Sequence, residues 1–281
     1  MFVDFQMKWA FERLQRYQKR FCMFNDDMQG TAGVGLAGLL GTVRAQGQPL
    51  TDFVNQKIVV VGAGSAGLGV FNMAAQTVSR MAGAKASPQF FLLDEDVCGL
   101  ITTERKGAGP ATAPFAKASG EIEGLGLREG TFKAQHNQMN WTECTAVDAF
   151  NHAGENIVFA SGSPFKNIDL GNGKVGHVKE ANNMYLFPRL DWDGSSSLRC
   201  SFDFRWNVTS SLNEEEIQSA ILYPPMRSIQ DITAEVGVAV VRAVVVEELA
   251  EGRCDVGPRE LREETVRNMW FLAYSPLVHE K

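Results

Sequence analysis

The chain has 281 residues, of which 44% are hydrophobic and 21% charged, and its formal net charge at pH 7 is -6. A chain of this size and composition can bury a substantial core. Its acidic balance, without a Lys/Arg run, excludes the basic footprint of nucleic-acid binding. The five cysteines are scattered without a Cys-x-x-Cys pair, which excludes a zinc ribbon and a disulfide framework. The most apolar stretch, 236–249, is too short and too often charged to cross a membrane.

The N-terminal half predicts two helices followed by a strand-helix-strand unit. Apolar residues at spacings of three and four predict a helix over 7–24. A second helix, rich in Ala, Leu and Gly, is predicted over 32–46. The β-branched run KIVVV at 57–61 has the character of a central parallel strand. A helix then extends to about Met81, and FFLL at 90–93 predicts the second strand.

The C-terminal half carries weaker signals. The Gly-, Ala- and Pro-rich stretch 107–130 predicts loop, and TAVDAFNHAG predicts a short helix before a strand at 157–160. Residues 191–206 show neither a helical nor a strand period. From Asn213 onward the pattern is helical again, with a break at the sequence YPP.

The first predicted strand leads directly into a dinucleotide-binding fingerprint, G-x-G-x-x-G, at the start of a helix. Its first glycine permits a tight turn, its second lets the backbone approach a pyrophosphate, and its third lets helix and strand pack closely. The helix N-terminus offers free N–H groups and partial positive charge to the phosphates. The alternative is a glycine-rich turn without a ligand. The predicted cofactor-binding residues of this turn are Gly62, Ala63, Gly64, Ser65, Ala66 and Gly67.

The second predicted strand ends at Asp94, which we predict to accept hydrogen bonds from the adenosine ribose. It lies a few residues beyond the usual spacing of about 20 from the fingerprint. A carboxylate here repels a 2′-phosphate and favours NAD over NADP. Arg105 and Lys106 lie downstream and would reverse this preference by pairing with the phosphate. The prediction is therefore NAD or NADP, with NAD favoured.

Three further stretches are more specific than the fingerprint. They are FNDDMQGTA at 24–32, FASGSPF at 159–165 and ANNMYLFP at 181–188. In this order around the fingerprint they resemble malic enzymes. The resemblance implies an α/β fold, a Rossmann-like doubly wound parallel sheet flanked by helices. It also implies oxidative decarboxylation of malate to pyruvate and CO₂ with NAD or NADP and Mn²⁺ or Mg²⁺, by a protein that is usually a homo-oligomer.

The resemblance further implies roles for carboxylates near the N-terminus. Asp4 and Asp27 match metal ligands, because oxygen donors suit a hard cation on the C2 oxygen of malate. A third ligand position holds Val3, which cannot bind a metal. Asp26 matches a catalytic residue that supports the general base of the family. For Asp26 and Asp27 the alternative is helix capping, since both lie between two helices.

Polar residues in the later motifs complete the predicted site. Asn182 and Asn183 match a pair that contacts nicotinamide and substrate, and their amides can hold a carboxylate or carboxamide without adding charge. We predict cofactor binding for Asn182 and a catalytic role for Asn183, with a local turn as the alternative for both. Ser161, with Ser163 beside it, matches a loop near the cofactor.

The chain departs from the family pattern in three places. The family's catalytic Tyr, general-base Lys and malate-binding Arg belong to a substrate domain. We expect residues 1–24 to be a helix that remains from the boundary of that domain, and residues 25–281 to form the NAD(P)-binding domain. A segment with one or two central strands and a Ser-Asn-Pro loop is missing at Gln138–Trp141, and residues 189–212 are divergent. Because missing interior strands reduce apolar burial, we expect marginal stability.

The leading functional hypothesis is therefore the NAD(P)-binding part of a malic enzyme, inactive alone because the catalytic Tyr, Lys and Arg are absent. The alternative is a catalytically dead NAD(P)-binding module, or a subunit that modulates a complete enzyme. Malate and pyruvate are the expected small-molecule ligands, and neither nucleic acid nor membrane is expected as a partner. The cytoplasm or the mitochondrion is the expected compartment, with any targeting peptide upstream of this sequence.

Overall fold

The described structure consists of helices and short strands. The computed structural model describes residues 7–17, 20–21, 23–82, 89–94, 99–103, 110–118, 144–154, 157–171, 173–185, 211–246 and 257–267. The elements of the first half are α1 (Met7–Tyr17), α2 (Thr31–Ala45), β1 (Lys57–Val61), α3 (Ser65–Ala82), β2 (Gln89–Asp94) and β3 (Gly99–Leu100). The elements of the second half are α4 (Ala146–Ala153), β4 (Phe159–Ser161), β5 (Ile168–Gly171), β6 (Lys174–Gly176), β7 (Val178–Glu180), α5 (Glu214–Gln218), α6 (Ile229–Val246) and α7 (Pro258–Arg267).

The predicted strand-helix-strand unit is confirmed. β1 and β2 pair in parallel along their length, from Lys57 opposite Gln89 to Val61 opposite Leu93, and α3 provides the crossover. β3 adds to the other side of β2 in the antiparallel direction. The two parallel strands therefore end together, and the chain leaves β1 toward α3 at this shared carboxyl edge.

The main core covers one face of this sheet. Ile58, Phe90 and Leu92 point into it and pack against α2 and α3. Phe71 of α3 stacks on Phe90 with ring centroids 5.3 Å apart. Fully burying one large apolar side chain contributes about 1.5–3 kcal/mol, so this face fixes α2 and α3 on the sheet. The small residues of α2 allow it to be buried on two sides.

The opposite face and the outer edge of β1 differ from the prediction. The sequence predicts a central strand, yet β1 is the end strand of its sheet in the described part of the chain. Val59 and Val61 are 57% and 42% exposed. A central parallel strand is covered on both faces, and here the described residues cover only the face that bears Ile58. The prediction of a central strand is therefore wrong for the described structure.

In the described part of the second half, the strands form two further pairs. β4 pairs in parallel with β7, and β5 and β6 form an antiparallel hairpin. The strand predicted at 157–160 is observed slightly later, at Phe159–Ser161. We did not predict the hairpin, although Gly171 and Gly173 flank its turn with φ of +83° and +76°. A glycine-rich turn of this kind is a recognised hairpin signal.

Helix ends follow local sequence signals. α4, predicted in TAVDAFNHAG, begins with a capping box in which Thr145 and Asp148 exchange hydrogen bonds. These bonds hold the pKa of Asp148 below its usual value. Gly154 ends the helix at a φ of +86°. The predicted N-terminal helix is shorter than 7–24, since α1 ends at Tyr17 and residues 20–21 are not helical.

The C-terminal helices agree with the prediction. α5 begins after Asn213, which forms a capping box with Glu216, and α6 begins after the YPP break. No described helix is both long and apolar enough to cross a membrane. Several predictions lie outside the described residues: those for Val3, Asp4, Arg105, Lys106, the junction at Gln138–Trp141 and residues 189–210 of the divergent stretch.

Candidate functional site

The glycine turn has a different geometry at each of its three glycines. Gly62 has a φ of +101°, a left-handed conformation that favours glycine, and its N–H donates to the carbonyl of Leu93 at 2.8 Å. A Cβ at Gly64 would have no atom within 4 Å. A Cβ at Gly67 would overlap the carbonyl oxygen of Gly62 and lie 2.9 Å from Val60 Cγ1. The turn thus has a tight bend, an open backbone and a close helix-strand contact.

The N-terminus of α3 faces this open space. The first helical bond runs from the N–H of Leu68 to the carbonyl of Gly64 at 3.0 Å. The N–H groups of Ser65, Ala66 and Gly67 precede it, so they carry the partial positive charge of the helix end. The first turn of α3 contains no acidic residue that would repel a phosphate. Ala63, just before the helix, is buried. The pyrophosphate of a dinucleotide fits this arrangement, because the space above Gly64 is open to it.

Asp94 ends β2, next to the glycine turn. The register places Val61 opposite Leu93, so Asp94 follows at the same edge of the sheet from which the turn departs. Its backbone lies where a ribose-binding carboxylate is expected, at the carboxyl end of the second strand. The structure does not describe its side chain, so ribose binding by Asp94 stays a prediction.

A π-helical turn, Asp26–Gly30, precedes α2 and carries the two predicted acidic residues. Its N-cap is Asn25, whose Oδ1 accepts a hydrogen bond from the N–H of Met28 at 2.8 Å. The capping role that we considered for Asp26 and Asp27 therefore belongs to the residue before them. Asp26 is buried, whereas Asp27 is partly exposed.

The structure brings the two predicted catalytic residues into direct contact. Asn183 Nδ2 donates a hydrogen bond to Asp26 Oδ2, although the two residues are 157 positions apart in the sequence. Gly30 makes the approach possible, because a Cβ there would overlap Asp26 Oδ1 and lie 3.5 Å from the Cβ of Asn183. We did not predict the importance of Gly30, although its position in the FNDDMQG motif was visible.

The acidic turn, Asp26–Gly30, also packs against α3, the helix that follows the glycine turn. A Cβ at Gly69, in the first turns of α3, would overlap the carbonyl oxygen of Met28. Gly69 is two residues after Gly67, so the FNDD segment and the glycine turn meet on the same end of α3. A pocket shared by the FNDD carboxylates and the glycine turn requires this proximity, and carboxylates on the far side of the sheet would have ruled it out.

The loops after β4 and β7 are joined by Asn182. Its Nδ2 donates to the carbonyl of Gly162 at 3.0 Å, and its Oδ1 accepts from the N–H of Met184 at 2.9 Å. Because parallel strands end at the same edge, Ser161, the last residue of β4, lies near Asn182, which follows β7. Ser161 therefore belongs to a strand and not to the predicted loop. Ser161 Oγ accepts from the N–H of Ser163 at 3.3 Å. The turn that we considered as the alternative is present at Asn182, and contact with a cofactor stays a prediction.

The described residues do not form a complete metal site. Among them, no group of three or more His, Cys, Asp or Glu side chains could hold a metal ion. Asp27 is described, but Asp4, the other predicted ligand, is not. The described residues therefore supply one of the two predicted carboxylate ligands, and the other lies outside them.

Most of the chain matches a known family. The sequence model described as "Malic enzyme, NAD binding domain" matches residues 28–135 and 134–245. The chain belongs to the malic enzyme family. It is 54% identical to the mitochondrial 59 kDa isoform of NAD-dependent malic enzyme from Solanum tuberosum, over 99% of this chain and 55% of the relative. It is 51% identical to mitochondrial NAD-dependent malic enzyme 2 from Arabidopsis thaliana, over 100% of this chain and 54% of the relative.

Solved structures of malic enzymes share the fold. The enzyme from Pyrococcus horikoshii superposes with a TM-score of 0.70 at 19% identity, covering 94% of this chain and 64% of that one. The enzyme from Entamoeba histolytica gives a TM-score of 0.69 at 15% identity, covering 94% and 58%. The Rossmann-like α/β fold is thereby confirmed, with few strands. The chain spans about half the length of the curated relatives it matches.

The comparisons also support a missing interior segment. The alignment with the Solanum tuberosum malic enzyme extends over 334 positions, although this chain has 281 residues. The two matches to the family model meet at residues 134–135, close to the junction predicted from the sequence. Interior residues of this relative are therefore absent from this chain.

Proposed function

We propose that this chain is the NAD-binding part of a malic enzyme. In this proposal the glycine turn holds the pyrophosphate, and Asp26, Asp27 and Asn183 form one wall of the malate site. The observation that carries it is the packing of the acidic turn against α3, because Gly69 and the carbonyl of Met28 are in contact. This packing joins nucleotide and substrate residues at one end of one helix.

The proposed dinucleotide is NAD, with Asp94 on the adenosine ribose. The names of the relatives support this choice. Those at 54%, 51% and 41% identity are NAD-dependent malic enzymes, whereas the NADP-dependent enzyme from Anas platyrhynchos is 27% identical. A titration of the chain with NAD and with NADP tests this preference, and tighter binding of NADP would contradict it.

When bound, NAD accepts the hydride from C2 of malate. The side chains of this chain bind and orient the reactants. The N–H groups of Ser65 and Ala66 at the start of α3 hold the phosphates, and the Asn183 amide, beside Asp26, borders both the malate and the nicotinamide that takes its hydride. The Asp26 carboxylate is buried and able to support a base that takes the hydroxyl proton. We propose Asp27 and Asp4 as carboxylate ligands of Mn²⁺ or Mg²⁺, which the family requires.

We propose that these 281 residues bind NAD but do not oxidise malate on their own. No residue of the chain matches the family's catalytic Tyr, general-base Lys or malate-binding Arg, so the hydroxyl proton has no base and the enolate no acid. Calorimetry with NAD should show binding, and malate with NAD and Mn²⁺ should yield no NADH. Formation of NADH would contradict inactivity, and absence of binding by folded protein would contradict the NAD site.

Partner and compartment are also proposals. We propose that the chain works with a polypeptide that carries the malate-binding domain, as a homo-oligomer or as a modulatory subunit of a complete enzyme. The named relatives at 54% and 51% identity are mitochondrial, so we propose the mitochondrion rather than the cytoplasm. Co-purification with a full-length malic enzyme from isolated mitochondria tests both, and recovery of the chain only from cytosol, without malic enzyme, would contradict both.

A further inference from the structure

A buried tyrosine, Tyr185, closely follows the segment Asn182–Asn183, which we call the asparagine loop. Tyr185 is 1% exposed, and its hydroxyl donates to the carbonyl of Pro224 at 2.7 Å. Its own carbonyl accepts a hydrogen bond from the Thr233 hydroxyl at 3.2 Å. Both bonds are buried, so each of these polar groups would remain unpaired if the tyrosine moved. Tyr185 therefore fixes the backbone immediately after Asn183.

A second tyrosine extends this attachment to α2. The rings of Tyr185 and Tyr223 stack at 6.2 Å with an interplanar angle of 10°. The Tyr223 hydroxyl donates to the carbonyl of Val34 at 2.8 Å. It lies so close to Gly38 that a Cβ there would overlap it. The asparagine loop is thus attached to α2 through two stacked rings.

Asp26, the hydrogen-bond partner of Asn183, lies just before the same helix. α2 begins directly after the π-helical turn that holds Asp26, and Val34 lies one helical turn beyond Gly30. The Asp26–Asn183 hydrogen bond joins the asparagine loop to the segment that leads into α2, and the Tyr185–Tyr223 stack with the Tyr223–Val34 hydrogen bond joins it to α2 itself. Two attachments restrain the rotation that a single bond would permit.

We propose that Tyr185 and Tyr223 are positioning residues that hold the carboxamide of Asn183 over Asp26, in the orientation that receives the nicotinamide end of the dinucleotide. This inference rests on the proposed function. The tyrosines themselves lie in the core formed by α2, α6 and the loop at Pro224. They therefore act through Asn183, without contact with a ligand.

The test compares two ligands that share the pyrophosphate but differ at the nicotinamide. NAD and ADP-ribose are titrated into the wild type, Tyr185→Phe, Thr233→Val and the control Tyr17→Phe on α1. Phenylalanine keeps the stacked ring but removes the hydroxyl. We expect Tyr185→Phe and Thr233→Val to weaken NAD by about tenfold, the effect of one lost buried hydrogen bond, and ADP-ribose by less than about twofold. Equal weakening of both ligands, or of neither, would overturn the inference.

A second measurement does not depend on the dinucleotide. The side-chain amide signals of Asn183, identified by their loss in Asn183→Ala, are followed by NMR. We expect the two hydroxyl-deleting variants to shift these signals and to speed their hydrogen exchange by about tenfold, with no change in Tyr17→Phe. If the wild type binds neither ligand, the proposed function fails while this measurement still decides the role of Tyr185. Unchanged signals in folded variants would refute that role.

Discussion

The backbone carbonyl of Met28 lies directly against Gly69, and its carbonyl carbon would be only 3.0 Å from a Cβ at that position. Met28 follows the two acidic residues of the π-helical turn, and Gly69 lies just beyond the glycine turn on α3. This contact sets the separation of the two halves of the site. A side chain at Gly69 would push the acidic turn away from the dinucleotide.

Gly69→Ala should therefore destabilise the fold. Because the obstacle is backbone and cannot rotate away, we expect a loss of about 1–3 kcal/mol in the free energy of unfolding, typical of an overpacked core. Gly257→Ala is the matched control, since a Cβ there meets nothing within 4 Å. Urea denaturation measures both variants, and equal stability of the two would disprove the contact.

Alanine at Gly64 and at Gly67 should have opposite effects. A Cβ at Gly64 meets nothing within 4 Å, so Gly64→Ala should fold normally but lose NAD affinity by about tenfold or more, because the methyl group occupies the space of the phosphates. Gly67→Ala should instead lower the free energy of unfolding by about 1–3 kcal/mol. Calorimetry and urea denaturation separate these effects. Normal NAD binding by Gly64→Ala would contradict the predicted phosphate position.

Exchanging the carboxylate and the amide should restore the contact between Asp26 and Asn183. Asn183→Asp places two acceptors with the same charge together, and we expect it to cost about 2–3 kcal/mol, less at acidic pH. The double variant Asp26→Asn with Asn183→Asp recreates the amide-carboxylate pair in reverse. We expect a coupling free energy of about 1–3 kcal/mol in a double-mutant cycle. Additive single effects would show that the two side chains do not interact in solution.

Alkaline unfolding should depend on Tyr185. Burial, assisted by the charge of Glu180, raises the pKa of Tyr185 from 10.0 to about 12, and burial also raises the pKa of Tyr223. Because the folded state binds these protons more tightly, this contribution is fully present below pH 10 and is lost as pH rises to about 12. We expect the stability of the wild type to fall by about 1–2 kcal/mol over that range.

The check is a series of urea denaturations between pH 9 and pH 12. Tyr185→Phe cannot ionise at this position, so its stability should be lower at pH 9 but should fall less steeply than that of the wild type. Parallel pH profiles for the two proteins would show that ionisation of Tyr185 does not contribute.

The outer face of β1 should tolerate polar side chains. Val59 and Val61 are 57% and 42% exposed, so replacing both with Thr should change the free energy of unfolding by less than about 0.5 kcal/mol each. Ile58→Thr, on the buried face of the same strand, is the matched control. It should cost about 2 kcal/mol or more, because it buries a hydroxyl in an apolar core. A large loss for the exposed pair would mean that this face is covered in solution.

Local patterns were sufficient to predict most of the first half of the fold. KIVVV, the glycine fingerprint and the helix that follows it lie next to each other in sequence, so each boundary depends on nearby residues. The central position predicted for β1 is not observed in the described part of the chain. Whether a strand is covered on both faces depends on other strands distant in sequence, and a local pattern such as KIVVV does not reveal them.

The site was predictable as a set of residues but not as a set of contacts. FNDD and ANN identify the parts, whereas the hydrogen bond between Asp26 and Asn183 joins positions 157 apart, which no local pattern reveals. Gly30 and Gly69 appear in the sequence as helix-weakening residues. Their purpose depends on which backbone approaches them, and only the packing of the π-helical turn on α3 supplies that information.

The hydrogen bond from Asn182 to the carbonyl of Gly162 has a practical consequence for engineering. The bond links the segments after β4 and β7 into one structural unit, although 20 positions separate the two residues in sequence. Transplanting one segment from another malic enzyme would pair it with a foreign neighbour. Chimeras that replace either segment should therefore exchange both together.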